Sequence, residues 1–96
     1  MNANIFDIQL TKTAAGELDS IPDVLRRKII EDIKILSTNP FLFRGAIKKL
    51  RGFKPPLYRL RSGDYRVLYR VHGDLVTIMR LIDRKNLERI IKRMRL

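Results

Sequence analysis

Leu57-Tyr58-Arg59-Leu60-Arg61-Ser62-Gly63-Asp64-Tyr65-Arg66-Val67-Leu68-Tyr69-Arg70-Val71 is the stretch whose reading decides the fold. On either side of Ser62-Gly63-Asp64, apolar and cationic residues alternate with a period of two, the pattern of half-buried strands. Gly63 takes φ > 0 without steric cost and Asp64 can bond its own backbone, so the middle is a tight turn. Leu57, Arg59 and Arg61 then share one face of the first strand, and Tyr58 and Leu60 the other. In the second strand Arg66, Leu68 and Arg70 oppose Tyr65, Val67, Tyr69 and Val71. If the faces register across the turn, three or four guanidinium groups converge on one side of a small sheet. Such a surface suits phosphate.

Beyond this hairpin, His72-Gly73-Asp74 reads as a second turn, and residues 75–82 (LVTIMRLI) are apolar enough for a central strand. Asp83 or Asn86 starts a last helix over residues 84–96, with Leu87, Ile90, Ile91 and Met94 on one side. Upstream, residues 41–56 contain Gly45, Gly52 and Pro55-Pro56 and are expected to be a connection too broken for regular structure throughout. Phe41, Phe43, Ile47, Leu50 and Phe53 anchor it, Arg44 stays solvated, and Lys48, Lys49, Arg51 and Lys54 form a mobile basic loop. Before it, Leu25, Ile29, Ile33 and Leu36 recur at helical spacing, opened by Pro22-Asp23 and stopped by Asn39-Pro40. A shorter helix, capped by Thr11 or Thr13, turns Ala14, Ala15 and Leu18 inward and ends near Ser20. Residues 4–10 form a first strand with Phe6, Ile8 and Leu10 on one side. The expected class is α+β in the order β-α-α-β-β-β-α, a mainly antiparallel sheet with a helical hairpin on one face. The other face stays partly open and carries arginines.

Ninety-six residues allow one small domain, residues 1–96. The absence of cysteine excludes a disulfide framework, a thiolate metal site and a cysteine nucleophile. Met1-Asn2-Ala3-Asn4 lacks the basic and apolar regions of a signal peptide, and no apolar run approaches the ~18 residues of a membrane span. A cytoplasmic setting and no membrane partner are expected. The net charge of +11 is unevenly placed: residues 1–43 hold five Lys/Arg against six Asp/Glu, and residues 44–96 hold sixteen against four. An anionic partner contacted by the second half accounts for that split better than a uniformly solvated surface does.

Lys48-Lys49-Leu50-Arg51-Gly52, a short loop, and then the Tyr58–Tyr69 string Y-R-L-R-x-G-D-Y-R-V-x-Y resemble the RelE/ParE superfamily of toxins from type II toxin–antitoxin operons. The resemblance covers essentially the whole chain and is closest to the RelE-like members. It implies their small fold and a ribosome-dependent endoribonuclease that cleaves mRNA through the RNA's own 2′-OH. It also implies mRNA and ribosome as partners, and neutralisation by an acidic, RelB-like antitoxin. Arg59, Arg61, Arg66 and Arg84 match family positions around the scissile phosphate. Planar guanidinium groups would clamp the developing phosphorane there; binding of phosphate or antitoxin without chemistry is the alternative. Lys48, Lys49, Arg51 and Lys54 are the candidates for RNA-backbone attraction.

Arginine cannot act as a general base. Where RelE-like members often carry a His or similar polar group and then a Tyr around the last arginine, this chain has Asp83 before Arg84, and Glu88 or Ile90 after it. Asp83 and Glu88 are therefore possible catalytic groups, against the plainer readings of a helix cap and a solvated helix face. The lone histidine, His72, lies in a turn at the other end of the sheet, and Tyr58, Tyr65 and Tyr69 read as packing residues. No carboxylate pair, His/Cys/Asp cluster or Gly-rich phosphate loop is present, so no metal or other cofactor is expected. The Arg84-Lys85-Asn86-Leu87-Glu88-Arg89 segment also resembles the R-x-x-L-E-R tail of ParE-type members. That keeps open a non-enzymatic inhibitor of DNA gyrase, or an inactive RNA- or ribosome-binding toxin relic.

Overall fold

A computed structural model describes residues 5–41 and 45–95. Strand β1 (Asp7–Leu10) leads to helices α1 (Lys12–Asp19) and α2 (Asp23–Lys34), the latter tightening into a 3₁₀ turn at Ile35–Ser37. Four strands follow, β2 (Ile47–Leu50), β3 (Leu57–Ser62), β4 (Tyr65–His72) and β5 (Leu75–Asp83). A 3₁₀ turn at Arg84–Asn86 then opens helix α3 (Leu87–Met94). The strands lie in the order β1-β5-β4-β3-β2; β1 runs parallel to β5 and the other neighbours are antiparallel.

Both expected hairpins form. Ser62 pairs with Tyr65 and His72 with Leu75, leaving the two-residue loops Gly63-Asp64 and Gly73-Asp74. Gly63 and Gly73 take φ of 56° and 60°, and no other residue type has positive φ among the described residues. A positive first and a negative second central φ is the II′ pattern, whose twist matches that of the strands. Thr11 caps α1 by accepting the Ala14 N–H at 3.1 Å, and its own hydroxyl donates to the Met79 carbonyl on β5.

Two expectations change. The connection over residues 41–56 contains a strand, so the order is β-α-α-β-β-β-β-α and the sheet has five strands rather than four. Ile47-Lys48-Lys49-Leu50 is short, and its two adjacent lysines blur the alternation; pairing with β3 forms the strand where local pattern alone would not. Lys48 and Lys49 are thereby strand residues and not part of a loop. The second change concerns the far face of the sheet. α1 and α2 cover one face over Ile29, Ile33, Leu36, Leu60, Val67, Tyr69, Val76 and Ile78. α3 packs on the opposite face, with Ile90 buried among Phe53, Leu57, Leu68 and Ile82. That face is divided between an apolar strip under α3 and the charged area beside it.

Smaller departures have simple causes. Leu25 and Ala15 face solvent, because Ile29, Ile33 and Ala14 already fill the interface on their helices. Tyr69 is wholly buried, with its hydroxyl donating to the Pro40 carbonyl at 2.6 Å and its ring stacked on Tyr58 with centroids 5.5 Å apart. Tyr58 joins the same core and Tyr65 packs at its margin, as expected for all three. Asn4, Phe43, Arg44 and Leu96 lie outside the described residues.

Candidate active site and nucleic-acid interface

Strand register decides which cations meet. Arg61 stands directly across from Arg66, and Arg59 directly across from Lys48 on one side and Leu68 on the other. Directly opposed residues on one face have Cβ atoms about 5 Å apart. Leu57 and Leu68 support α3, so Arg59, Arg61, Arg66 and Lys48 share the α3 face of the sheet and lie beside the helix. Arg84 joins them from the 3₁₀ turn. Its backbone N–H donates to the Asp64 carbonyl at 2.8 Å, and its Nε lies 3.5 Å from Asp64 Oδ1. The turn Gly63-Asp64 thus positions two arginines, because Arg66 Nη1 also donates back to the Gly63 and Tyr65 carbonyls, each at 3.0 Å.

The cluster is under electrostatic tension. Burial, then the charges of Arg66 and Arg61, pull the Arg59 guanidinium below its ordinary value. Burial, then Arg61 and Arg84, do the same to Arg66, with Asp64 and Asp83 opposing. Arg59 and Arg66 nonetheless remain cations at neutral pH. Arg59 donates to the Gly45 carbonyl at 3.3 Å, but its buried Nε has no hydrogen-bond partner. Like charges held face to face, with a donor unsatisfied, form a surface that gains from a bound anion.

The other expected site residues make contacts of their own or face solvent. Asp83 Oδ1 accepts the Lys85 N–H at 2.9 Å, which makes Asp83 a helix cap, and Glu88 faces solvent on the first turn of α3. Lys49 points to the face opposite the arginines, paired with Tyr58. Arg51 and Lys54 sit in the β2–β3 connection, at the end of β3 away from Arg61. His72 is exposed at the far hairpin. Among the described residues no group of three His, Cys, Asp or Glu could hold a metal ion, and no helix is long and apolar enough to cross a membrane. Two cations gain weight from the structure. Lys48 moves from a loop to a place across from Arg59, and Arg70, two residues after Leu68 on the same face of β4, also has a buried Nε without a partner. The alternation of β4 already put Arg70 on that face; nothing in the short β2 segment fixed Lys48.

Residues 8–88 match the family described as the ParE toxin of the type II toxin–antitoxin system parDE. The toxin RelE3 of Methanocaldococcus jannaschii is 29% identical over 82 residues, covering 83% of this chain and 92% of that protein. RelE1 of the same organism is 34% identical over 82 residues, covering 83% and 90%. A chain of the archaeal RelE–RelB complex from Pyrococcus horikoshii superposes with a TM-score of 0.72 at 31% identity, covering 83% of this chain and 96% of that one. With the five-stranded sheet and the helices on both its faces, these likenesses establish that the chain belongs to the RelE/ParE superfamily of type II toxin–antitoxin toxins.

Proposed function

We propose that this toxin is of the RelE type, an endoribonuclease that cleaves mRNA in the ribosome and is neutralised by an acidic antitoxin. The observation that carries the reading is the direct opposition of Arg61 and Arg66, with Arg59, Lys48 and Arg84 around them, on a part of the sheet that α3 leaves open. The 2′-OH gives up its proton to solvent water as its oxygen attacks the adjacent phosphorus, the bond to the 5′-oxygen of the next nucleotide breaks, that oxygen takes up a proton, and a 2′,3′-cyclic phosphate remains. Negative charge grows on the phosphorane oxygens, where the guanidinium groups stabilise it; one such donor is commonly worth about 10²–10³ in rate. Asp64 holds the Arg84 guanidinium, whereas Asp83 caps the turn by accepting the Lys85 backbone N–H. The Lys48 ammonium is the member of the cluster able to hand a proton to the leaving 5′-oxygen. The complex of RelE with RelB from Pyrococcus supports a RelB-like antitoxin as partner. Ribosome and mRNA as partners place the action in the cytoplasm.

One finding favours a second reading: the family that matches residues 8–88 is described as ParE, which fits the ParE-like run Arg84–Arg89 and a non-enzymatic gyrase inhibitor. Primer extension on mRNA held in purified ribosomes separates the two. Discrete A-site cuts that disappear with Arg66→Ala are expected. Folded protein that gives no cuts but blocks gyrase supercoiling would establish the second reading instead.

A further inference from the structure

The β2–β3 connection carries a groove separate from the arginine cluster. It encloses about 650 Å³ and is lined by Lys49, Leu50, Arg51, Gly52, Phe53 and Lys54, with no carboxylate. Leu57 of β3 stands beside it, paired with Leu50, and Arg61 is four positions further on, roughly 13 Å along the strand. The floor is apolar. Phe53 is nearly buried and Leu50 half-buried, both packed with the α3 side of the sheet. The rim is cationic. Lys49, Arg51 and Lys54 are exposed, and Arg95 from the end of α3 reaches in, donating to the Arg51 carbonyl at 2.9 Å with its guanidinium 5.3 Å from the centre of the Phe53 ring. Gly52 takes φ of 84° at the corner, so the loop turns sharply where the groove opens.

We infer that this groove docks an acidic peptide segment that places one bulky apolar side chain over Leu50, beside the Arg95-covered Phe53 ring, and its carboxylates on Arg51 and Lys54. Charge complementarity chooses an acidic occupant, since every ionisable group lining the groove is a cation. Three features choose peptide over RNA. The Arg95 guanidinium covers the Phe53 ring face that a base would need for stacking. The apolar floor fits an aliphatic or aromatic anchor and gives a phosphodiester nothing to bond. The cations with unpartnered or opposed groups, which a phosphate would satisfy, lie elsewhere, at Arg59, Arg61 and Arg66. The inference rests on the toxin reading in that the acidic segment belongs to the neutralising partner. It deepens that reading by making neutralisation use a grip away from the cluster that binds RNA.

The test is fluorescence anisotropy on the whole chain with three labelled probes. The first is a twelve-residue Glu/Asp-rich peptide with one central Leu, the second the same peptide with Ser for Leu, and the third a six-nucleotide oligouridylate. The first peptide is expected to bind, the Ser peptide to bind about tenfold more weakly, and Arg51→Glu with Lys54→Glu to weaken the Leu peptide by at least as much. Oligouridylate is expected not to displace the Leu peptide. Amide shifts in NMR are expected at Leu50, Gly52 and Phe53. Equal binding of the two peptides would reduce the groove to a charged surface and overturn the inference. Displacement by oligouridylate, or shifts confined to β3 and β4 around Arg61 and Arg66, would also overturn it, the former by making the groove an RNA contact. No ribosome enters this titration, so its failure leaves the cleavage reading standing, and failed cleavage leaves the groove standing.

Discussion

The Ser62 hydroxyl donates to Asp32 Oδ2 at 2.6 Å, joining the end of β3 to α2. Ser62 is the one buried polar residue among those described, and Asp32 also takes the Lys28 ammonium at 2.9 Å. The next two residues form the turn that receives Arg66 and Arg84, so this bond fixes the base of the arginine cluster to the helical layer.

Ser62→Ala is expected to destabilise the fold by about 1.5–3 kcal/mol, the usual worth of a hydrogen bond to a charged group. For a domain of this size that lowers the melting temperature by something on the order of 10 °C. Asp32→Asn keeps an acceptor for Ser62 and should cost less. A double-mutant cycle of Ser62→Ala with Asp32→Ala, followed by urea unfolding, should show coupling between the two sites; strict additivity would mean that the bond contributes nothing.

Tyr69 gives the stability a pH dependence of known sign. Burial, and then the neighbouring Tyr58, push its hydroxyl well above the ordinary tyrosine value. The contribution is fully present below about pH 10, where both states hold the proton. Above that the unfolded chain releases a proton that the folded chain keeps, so stability falls as pH rises. At pH 8 Tyr69→Phe should cost about 0.5–1.5 kcal/mol for the lost bond to Pro40. The gap to wild type should narrow between about pH 10 and 11 in urea titrations. A gap that stays constant would show that Tyr69 titrates alike in both states.

The opposition of Arg61 and Arg66 sets function against stability. Like charges directly across a sheet cost roughly 0.2–1 kcal/mol. In low salt, Arg61→Gln should therefore melt slightly above wild type. Added sulfate should raise the wild-type melting temperature by binding the folded state, and should raise that of the variant less. A variant that melts below wild type in low salt would make Arg61 a supporting element of the sheet.

The hairpin over Leu57–His72 was legible because two independent signals agreed there, the period-two alternation and a glycine where a two-residue turn needs positive φ. The same alternation placed Arg59, Arg61 and Arg66 on one face, and register across Ser62–Tyr65 then brought them together as expected. The helical hairpin was legible from its caps and from Ile29, Ile33 and Leu36. β2 was not. Four residues with two lysines carry too little local preference, and the strand exists because β3 offers it hydrogen bonds. Missing β2 also scattered Lys48, Lys49, Arg51 and Lys54 into one basic loop, whereas strand geometry sends Lys48 and Lys49 to opposite faces. The amphipathic pattern of α3 was plain, but a pattern names an apolar side without naming its partner. Leu57, Leu68 and Ile82 on the far face of the sheet supply that partner only once the strands have paired.

The parallel pairing of β1 with β5 joins Gln9 to Thr77, 68 positions apart. A growing chain at ~5–20 residues per second would wait roughly 3–14 s between making one strand and making the other. Until then β1 lacks its only neighbour in the sheet, and Arg84, which follows β5, does not yet exist. The order of synthesis is thus a timer: the fold closes, and the full set of cations assembles, only as the last segment of the chain arrives.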